Sequence, residues 1–160
     1  MKTENKLTKA YKNAKVMEFD EHSKFIIFSD CHRSDGSRSD EFTRNENIFL
    51  HALSYYHKNG FHYIEAGDGD ELWEHPQFRY IRKAHYPVFD QMKMFYDEGR
   101  MDILYGNHNI YLRDAEYLKH NFFFYYNDAK DKTMEFLQGI KPCEAVLLRH
   151  RKTSQEVLIL

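Results

Sequence analysis

Three short apolar runs, each closed by polar residues, alternate with segments of helical periodicity along the N-terminal part of the chain. The runs are KFIIFSD at 24–30, FHYIEAGD at 61–68 and MDILYGNHN at 101–109. Short runs rich in β-branched and aromatic residues, followed by Gly, Asp or Asn, are typical of buried strands. The pattern therefore predicts three strands, and each of them ends in a polar loop.

Two helical segments separate these strands. Residues 40–59 carry apolar side chains at about 3.6-residue spacing and stop before Gly60, and glycine is common just beyond a helix. A second helical stretch runs from after Pro76 to about Glu98, and we expect Pro87 to kink or divide it. Strands that alternate with helices in this way predict an α/β fold with a mostly parallel sheet.

The pattern is weaker towards the C-terminus. It predicts a strand in NFFFYY at 121–126, a short helix in DKTMEFLQG at 131–139, and two final strands joined by a turn at 152–155. The last run, EVLIL, is typical of a strand that enters a core, so we expect the chain to be a fragment of a longer open reading frame. Residues 1–160 are thus expected to form a single, incomplete domain.

Composition and charge exclude several classes of protein. The chain is 42% hydrophobic and 16% aromatic, which is too apolar for a disordered chain. Its 23 basic and 25 acidic residues give a net charge of -2, so there is no strong signal for nucleic acid or an anionic membrane as the main partner. The lysines near the N-terminus favour a solvated helix face over a binding patch; they are Lys2, Lys6, Lys9, Lys12 and Lys15.

Targeting signals and cysteine usage favour a soluble, cytoplasmic protein. No N-terminal apolar segment resembles a signal peptide, and no run approaches the roughly 18 apolar residues of a membrane span. Cys31 and Cys143 show neither a disulfide framework nor a CxxC zinc pattern, which fits a reducing compartment. Cys31 lies between Asp30 and His32, and its thiol is interpreted as a packing group and not as a nucleophile.

The unusual polar residues follow the three predicted strands. They are Asp30 and His32, then Asp68 after Gly67, then Asn107 and His108 after Gly106. Because the carboxyl ends of parallel strands lie along one edge of a sheet, we expect these groups to converge. Carboxylate, imidazole and amide donors suit Mn, Fe or Zn better than Ca or Mg. A carboxylate can bridge two ions, and Asp68 is the candidate bridge.

Asp-x-His, Gly-Asp and Gly-Asn-His, each at a strand end and in this order, resemble the motifs of the calcineurin-like metallophosphoesterases. The resemblance implies a β-sandwich flanked by helices and a site for two divalent metal ions, with Mn favoured and Fe or Zn as alternatives. It implies that Asp30 and His32 bind the first metal, that Asp68 bridges, and that Asn107 binds the second metal. His108 would be the catalytic residue that contacts or protonates the leaving oxygen.

Within that family, the stretch GDGDELW at 67–73 is similar to the Gly-Asp-x-x-Glu-x-Trp segment of UDP-2,3-diacylglucosamine pyrophosphatases. This likeness makes Glu71 and Trp73 candidate substrate-binding residues, although Trp73 is as compatible with core packing. Arg33 and Arg38 are candidates for a phosphate clamp, with a solvated loop as the alternative. The expected substrate is a phosphorylated small molecule or a nucleotide-like molecule.

Two departures from the family pattern matter. The family usually has an acidic residue after Gly-Asn-His, where Asn109 stands, so His108 is expected to be a weaker general acid or base. The downstream histidine ligands of the family, including a Gly-His-x-His segment, have no match, and His150 is interpreted as a strand-end residue. The expected function is a phosphoesterase that hydrolyses a phosphate ester or pyrophosphate with a metal-activated water. The alternative is a truncated or degenerate, non-catalytic metal-binding domain.

Overall fold

The structure, a computed structural model, describes residues 3–160 and alternates strands with helices through much of the chain. The five α-helices α1 to α5 are Thr3–Asn13, Glu46–Lys58, Phe78–Ala84, Tyr86–Asp97 and Ala115–Asn121. The eight strands β1 to β8 are Lys15–Phe19, Phe25–Phe28, His62–Ala66, Met101–Leu104, Phe124–Asn127, Lys132–Glu135, Val146–His150 and Glu156–Ile159. The mixed α/β class predicted from the sequence is confirmed.

The first sheet consists of β2, β3 and β4, with β3 in the centre and both pairings parallel. Successive side chains of β3 point to opposite faces, as in any strand. Tyr63 belongs to the core under the helices, whereas Ile64 and Ala66 pack on the other face. All three strands therefore present their carboxyl ends at the same edge, which is where the candidate ligands follow.

Helices α2 and α4 cover one face of this sheet. Helix α4 buries Val88, Phe89, Met92 and Phe95, which recur at the spacing of one helix face. The Phe95 ring lies 5.6 Å from the ring of Tyr63 on β3. The predicted helix at 40–59 is confirmed as a short 3-10 turn followed by α2, and Gly60 follows with a φ of 74°.

The predicted division of the second helical stretch at Pro87 is also confirmed. Helix α3 ends at Ala84, and α4 begins at Tyr86 with Pro87 in its first turn. A proline is tolerated there because the first helical N–H groups have no intrahelical acceptor. The His85 side chain fills the break, with its ring nitrogens 2.5 Å from Oε2 of Glu46 and 2.7 Å from Oδ2 of Asp40.

The second sheet has the order β1, β7, β8, with β1 and β7 parallel and β7 and β8 antiparallel. It confirms the two predicted final strands and adds β1, which the sequence pattern did not predict. A small core joins the two sheets and comprises Ile64, Ala66, Leu104, Val146, Leu148 and Ile159. The N–H of Tyr105 donates to the carbonyl of Cys143 at 3.1 Å, so the end of β4 is fixed to the segment before β7.

The predicted short helix at 131–139 is wrong. Residues Lys132–Glu135 form β6, which pairs with β5 in an antiparallel hairpin. The apolar side chains of this segment are buried by contacts with the core and do not form a helical face, and Phe136 and Leu137 are fully buried. The N–H groups of Phe136 and Leu137 donate to the carbonyls of Phe123 and Phe122, respectively. The strand predicted at 121–126 begins later, because Asn121 still belongs to α5.

Lys6, Lys9 and Lys12 are exposed on α1, as expected for a solvated helix face. Lys15 departs from that expectation, because it lies on β1 and its ammonium pairs with the buried carboxylate of Asp102. Lys2 lies outside the described residues. Within residues 3–160, every helix is too short or too polar to cross a membrane.

Candidate metal centre

The loops that follow β2, β3 and β4 are joined by hydrogen bonds through their backbones. The N–H of His32 donates to the carbonyl of Asp68 at 2.9 Å, and the N–H of Asp30 donates to the carbonyl of Gly67 at 3.4 Å. The N–H of His108 donates to Oδ1 of Asp68 at 2.8 Å. Asp68 therefore connects the first and third motifs, and the convergence expected from a parallel sheet is what the structure has.

Two overlapping groups of side chains are arranged as metal ligands would be. One consists of His32, Glu71 and His108, and the other of Asp30, His32 and Asp68. In each group one donor atom per residue lies within 4.8 Å of the others. His32 is shared, so the two groups form a continuous arrangement of imidazole and carboxylate donors. This donor set suits Mn, Fe or Zn.

Glu71 lies between the two histidines. Its Oε2 is 3.0 Å from Nδ1 of His32 and 2.6 Å from Nδ1 of His108, and the two rings are 4.6 Å apart and nearly perpendicular. Burial of Glu71 favours its neutral form, but hydrogen bonds from His32, the Glu74 backbone and His108 outweigh it and lower the pKa of Glu71. The sequence indicated a substrate contact, whereas the structure places Glu71 among the candidate ligands.

The backbone of the centre is strained. Asp30, His32 and Asp68 have φ values of 53°, 46° and 44°, in the left-handed region that side chains other than glycine seldom adopt. Such conformations persist where surrounding contacts determine them, and they cluster at functional sites. The hydrogen bonds between the loops supply those contacts here. The strained backbone conformations are therefore those of the candidate ligands themselves.

Because Gly106 has no side chain, the carboxylate of Asp68 can lie close to its Cα. A Cβ built on Gly106 would stand 2.6 Å from Cγ of Asp68 and closer still to Oδ1. No side chain fits there unless the Asp68 carboxylate moves. The glycine of the Gly-Asn-His motif is thus required by the close approach of a candidate ligand, whatever its own backbone conformation.

We expect Gly106→Ala to displace the Asp68 carboxylate and to weaken Mn²⁺ binding by at least about tenfold, because ligand position determines metal affinity. Isothermal titration with Mn²⁺ measures the effect. The control is Gly60→Ala, where a Cβ would meet nothing within 4 Å but φ is +74°. It should cost about 1 kcal/mol of stability and leave Mn²⁺ affinity unchanged. Wild-type affinity in Gly106→Ala would contradict the placement of Asp68 in the centre.

The two asparagines of the third motif have different environments. Asn107 is exposed, and its side chain makes no hydrogen bond within residues 3–160. Asn109 is fully buried, and its Oδ1 accepts the N–H of Gly106 at 2.6 Å while its Nδ2 lacks a partner in the described chain. Asn109 therefore shapes the loop, and Glu71 rather than Asn109 orients the His108 ring.

Arg33 does not lie at the mouth of the site, contrary to the expected phosphate clamp. It is fully buried, and its guanidinium donates to both oxygens of Glu65, at 2.6 and 2.9 Å, and through Nε to Asp70 at 2.8 Å. Because these donors are engaged, we interpret Arg33 as a residue that stabilises the fold and not as a phosphate ligand. Arg38, the other candidate, is exposed in the same loop.

Trp73 is not part of the core. It is 68% exposed, and its indole lies 5.2 Å from the His108 ring. The packing alternative is therefore wrong, and the indole is exposed to solvent beside His108. Burial raises the pKa of Cys31 to about 12, which agrees with its interpretation as an unreactive thiol.

A cleft of about 510 Å³ opens beside the two donor groups. Its polar lining includes four carboxylates, those of Asp30, Glu41, Glu71 and Glu74, and residues 3–160 contribute no lysine or arginine to it. Phe28, Phe42 and Phe49 supply apolar surface. An acidic cleft of this kind repels a free phosphate, so an anionic ligand would need cations to neutralise these carboxylates.

His150 does not contribute to the centre in this structure. Its Nδ1 lies 3.0 Å from Oγ1 of Thr153, and its ring packs 5.1 Å from Phe19 at the far end of β7. The chemistry of the site is thus carried by the loops after β2, β3 and β4. Comparisons of the chain with protein-family models, with curated proteins and with solved structures gave no match.

Proposed function

We propose that the protein is a metal-dependent phosphoesterase of the calcineurin-like type, which hydrolyses a phosphate ester or pyrophosphate. The observation that carries the proposal is the convergence of Asp30, His32 and Asp68 with His108 at the ends of three parallel strands. The Asp68 carboxylate has two oxygens and is suited to bridge a pair of metal ions in such a centre. The order of the motifs and the core shared by the two sheets support the same family and its sandwich architecture.

The residues fit a pair of divalent ions. Asp30 and His32 would bind the first ion, Asp68 would bridge, and the exposed Asn107 has an amide oxygen available for the second. Bound divalent ions of this class lower the pKa of water and stabilise charge on phosphoryl oxygens. Mn²⁺ is the favoured ion, with Fe or Zn as alternatives, because the donors are oxygen and nitrogen.

His108 is the proposed proton donor to the leaving oxygen. Glu71 accepts a hydrogen bond from Nδ1 of His108 and fixes the orientation of the ring, which leaves Nε2 as the nitrogen for proton transfer. Glu71 also holds His32 in the same way. The exposed Trp73 and Arg38 are the proposed contacts for the rest of the substrate. Two free cysteines, Cys31 and Cys143, support a reducing compartment, and we propose the cytoplasm.

The alternative function is a non-catalytic domain that binds metal. It is favoured by the absence, within the described residues, of the family's downstream histidines near the centre, since His150 is engaged elsewhere. Such a domain would bind one ion and fail to hydrolyse phosphate esters. The two functions differ in ion stoichiometry and in turnover, so one set of measurements separates them.

The test uses the 160-residue chain, stripped with EDTA and titrated with Mn²⁺. We expect two Mn²⁺ per chain by elemental analysis, together with hydrolysis of bis(p-nitrophenyl) phosphate or p-nitrophenyl phosphate that EDTA abolishes and Mn²⁺ restores. One ion per chain without turnover supports the non-catalytic domain. If no ion binds, the resemblance to metallophosphoesterases does not extend to function.

A further inference from the structure

A second cleft, of about 600 Å³, lies between helix α3 and the β5 strand. Its volume is in the range of roughly 300–1,000 Å³ that is usual for small-molecule sites. It shares no lining residue with the cleft at the metal centre. The two clefts also differ in charge, because the first is lined by carboxylates and the second by cations.

Three permanent cations of α3 line this second cleft. Arg79, Arg82 and Lys83 follow each other at the i, i+3 and i+4 spacing that places side chains on one helix face. Among the described residues, Asp128 is the only carboxylate in the lining, and it lies 3.4 Å from Lys83. The cleft is therefore positive on a chain whose net charge is -2. A local field of this sign favours an anionic ligand.

Arg82 is the most buried of these cations and is incompletely paired. It is 7% exposed, and its guanidinium carbon lies 3.3 Å from the centroid of the Tyr125 ring. Its hydrogen bond within residues 3–160 joins Nη2 to Oδ1 of Asp90 at 3.2 Å, and the buried Nε has no partner there. Burial lowers the pKa of Arg82, and the opposing interactions with Tyr125 and the exposed Asp90 carboxylate do not offset it. An anion in the cleft would supply the missing compensation.

Aromatic surface flanks these cations. Tyr80, Phe124 and Tyr126 line the cleft and are all exposed. Exposed aromatic faces next to arginines are the surfaces on which nucleobases stack, and such stacking tolerates any base. Phosphate binding and base stacking are thus available within one cleft of suitable size.

We propose that this cleft binds a nucleoside phosphate, with its phosphates at Arg79, Arg82 and Lys83 and its base against the exposed aromatic rings. The site is separate from the metal centre and does not depend on hydrolysis. The same chemistry would bind any phosphorylated aromatic compound, so adenosine diphosphate serves as the probe.

The test is isothermal titration with ADP in the presence of EDTA, so that no metal ion contributes. We expect adenosine and inorganic phosphate each to bind at least about tenfold more weakly than ADP, because each lacks half of the recognised chemistry. The variant Arg79→Gln/Lys83→Gln should weaken ADP binding by at least about tenfold. Both residues are exposed, so the fold should be unaffected.

Two controls separate this site from others. Lys6→Gln/Lys9→Gln removes two exposed cations from α1 and should leave ADP affinity unchanged, as should Asp68→Asn at the metal centre. The proposal is overturned if ADP fails to bind, if Arg79→Gln/Lys83→Gln retains wild-type affinity, or if phosphate binds as tightly as ADP. None of these results bears on Mn²⁺ binding, so the proposed hydrolysis is tested independently.

Discussion

Replacing Arg33 with leucine is expected to lower the free energy of unfolding by about 3–5 kcal/mol, the usual cost of removing one partner from a buried ion pair. The substitution leaves the carboxylates of Glu65 and Asp70 without their cation, and both are buried. Even in the intact protein, burial raises the pKa of Asp70 above its usual value. Urea unfolding followed by circular dichroism measures the loss.

The loss in Arg33→Leu should depend on pH. Unpaired buried carboxyls have a higher pKa in the folded state than in the unfolded state, so the folded variant binds more protons and its stability falls as pH rises through the folded pKa. The variant should therefore be closer to the wild type at pH 5 than at pH 8. The control is Arg38→Leu in the same loop, where the arginine is exposed and the expected change is within about 0.5 kcal/mol. Equal stabilities of the two variants would contradict a structural role for Arg33.

The second large effect is expected at His32. Because His32 is a proposed ligand of the first ion, His32→Ala should weaken Mn²⁺ binding at that position and reduce hydrolysis by at least about 100-fold. Asp30→Ala removes the other proposed ligand of the first ion and should also weaken Mn²⁺ binding, whereas His108→Ala removes the proposed proton donor and should keep both ions while losing hydrolysis. Elemental analysis of the bound Mn²⁺, together with rates on bis(p-nitrophenyl) phosphate, distinguishes these two kinds of variant.

The matched control for His32→Ala is His51→Ala, which removes an exposed imidazole from helix α2. This variant should bind Mn²⁺ and hydrolyse bis(p-nitrophenyl) phosphate as the wild type does. If His32→Ala retains two Mn²⁺ per chain, the centre proposed here does not hold the ions. If it loses the ions but keeps its thermal stability, the effect lies in metal binding and not in the fold.

The strands of the first sheet could be predicted from the sequence because each is a short apolar run closed by polar residues. The closeness of Asp30, Asp68 and His108 followed from the rule that parallel strands end at one edge. The hairpin of β5 and β6 could not be predicted in this way. Met134, Phe136 and Leu137 fit a short helix as well as a strand, and only pairing with β5 and burial against the core decide between them.

The positions of Glu71 and Arg33 could not be predicted from the sequence, for a different reason. The position of Glu71 depends on how the loop after β3 folds back, and the N–H of Glu71 donates to the carbonyl of Arg33, far away in the chain. Arg33 resembled a solvent-facing clamp because its acidic partners, Glu65 and Asp70, are 32 and 37 residues away. Local patterns do not show which charges are buried together. The positions of both residues depend on contacts that exist only after the sheet has formed.

The left-handed backbone at Asp30, His32 and Asp68 places the proposed function in opposition to stability. Each such residue costs on the order of 1–3 kcal/mol, which is a considerable fraction of the roughly 5–15 kcal/mol that holds a domain together. Glycine at any of the three would relieve the strain and remove a ligand. Selection for thermostability alone would thus drive these positions away from the residues they now hold, and their persistence in a laboratory evolution experiment would report selection for metal binding.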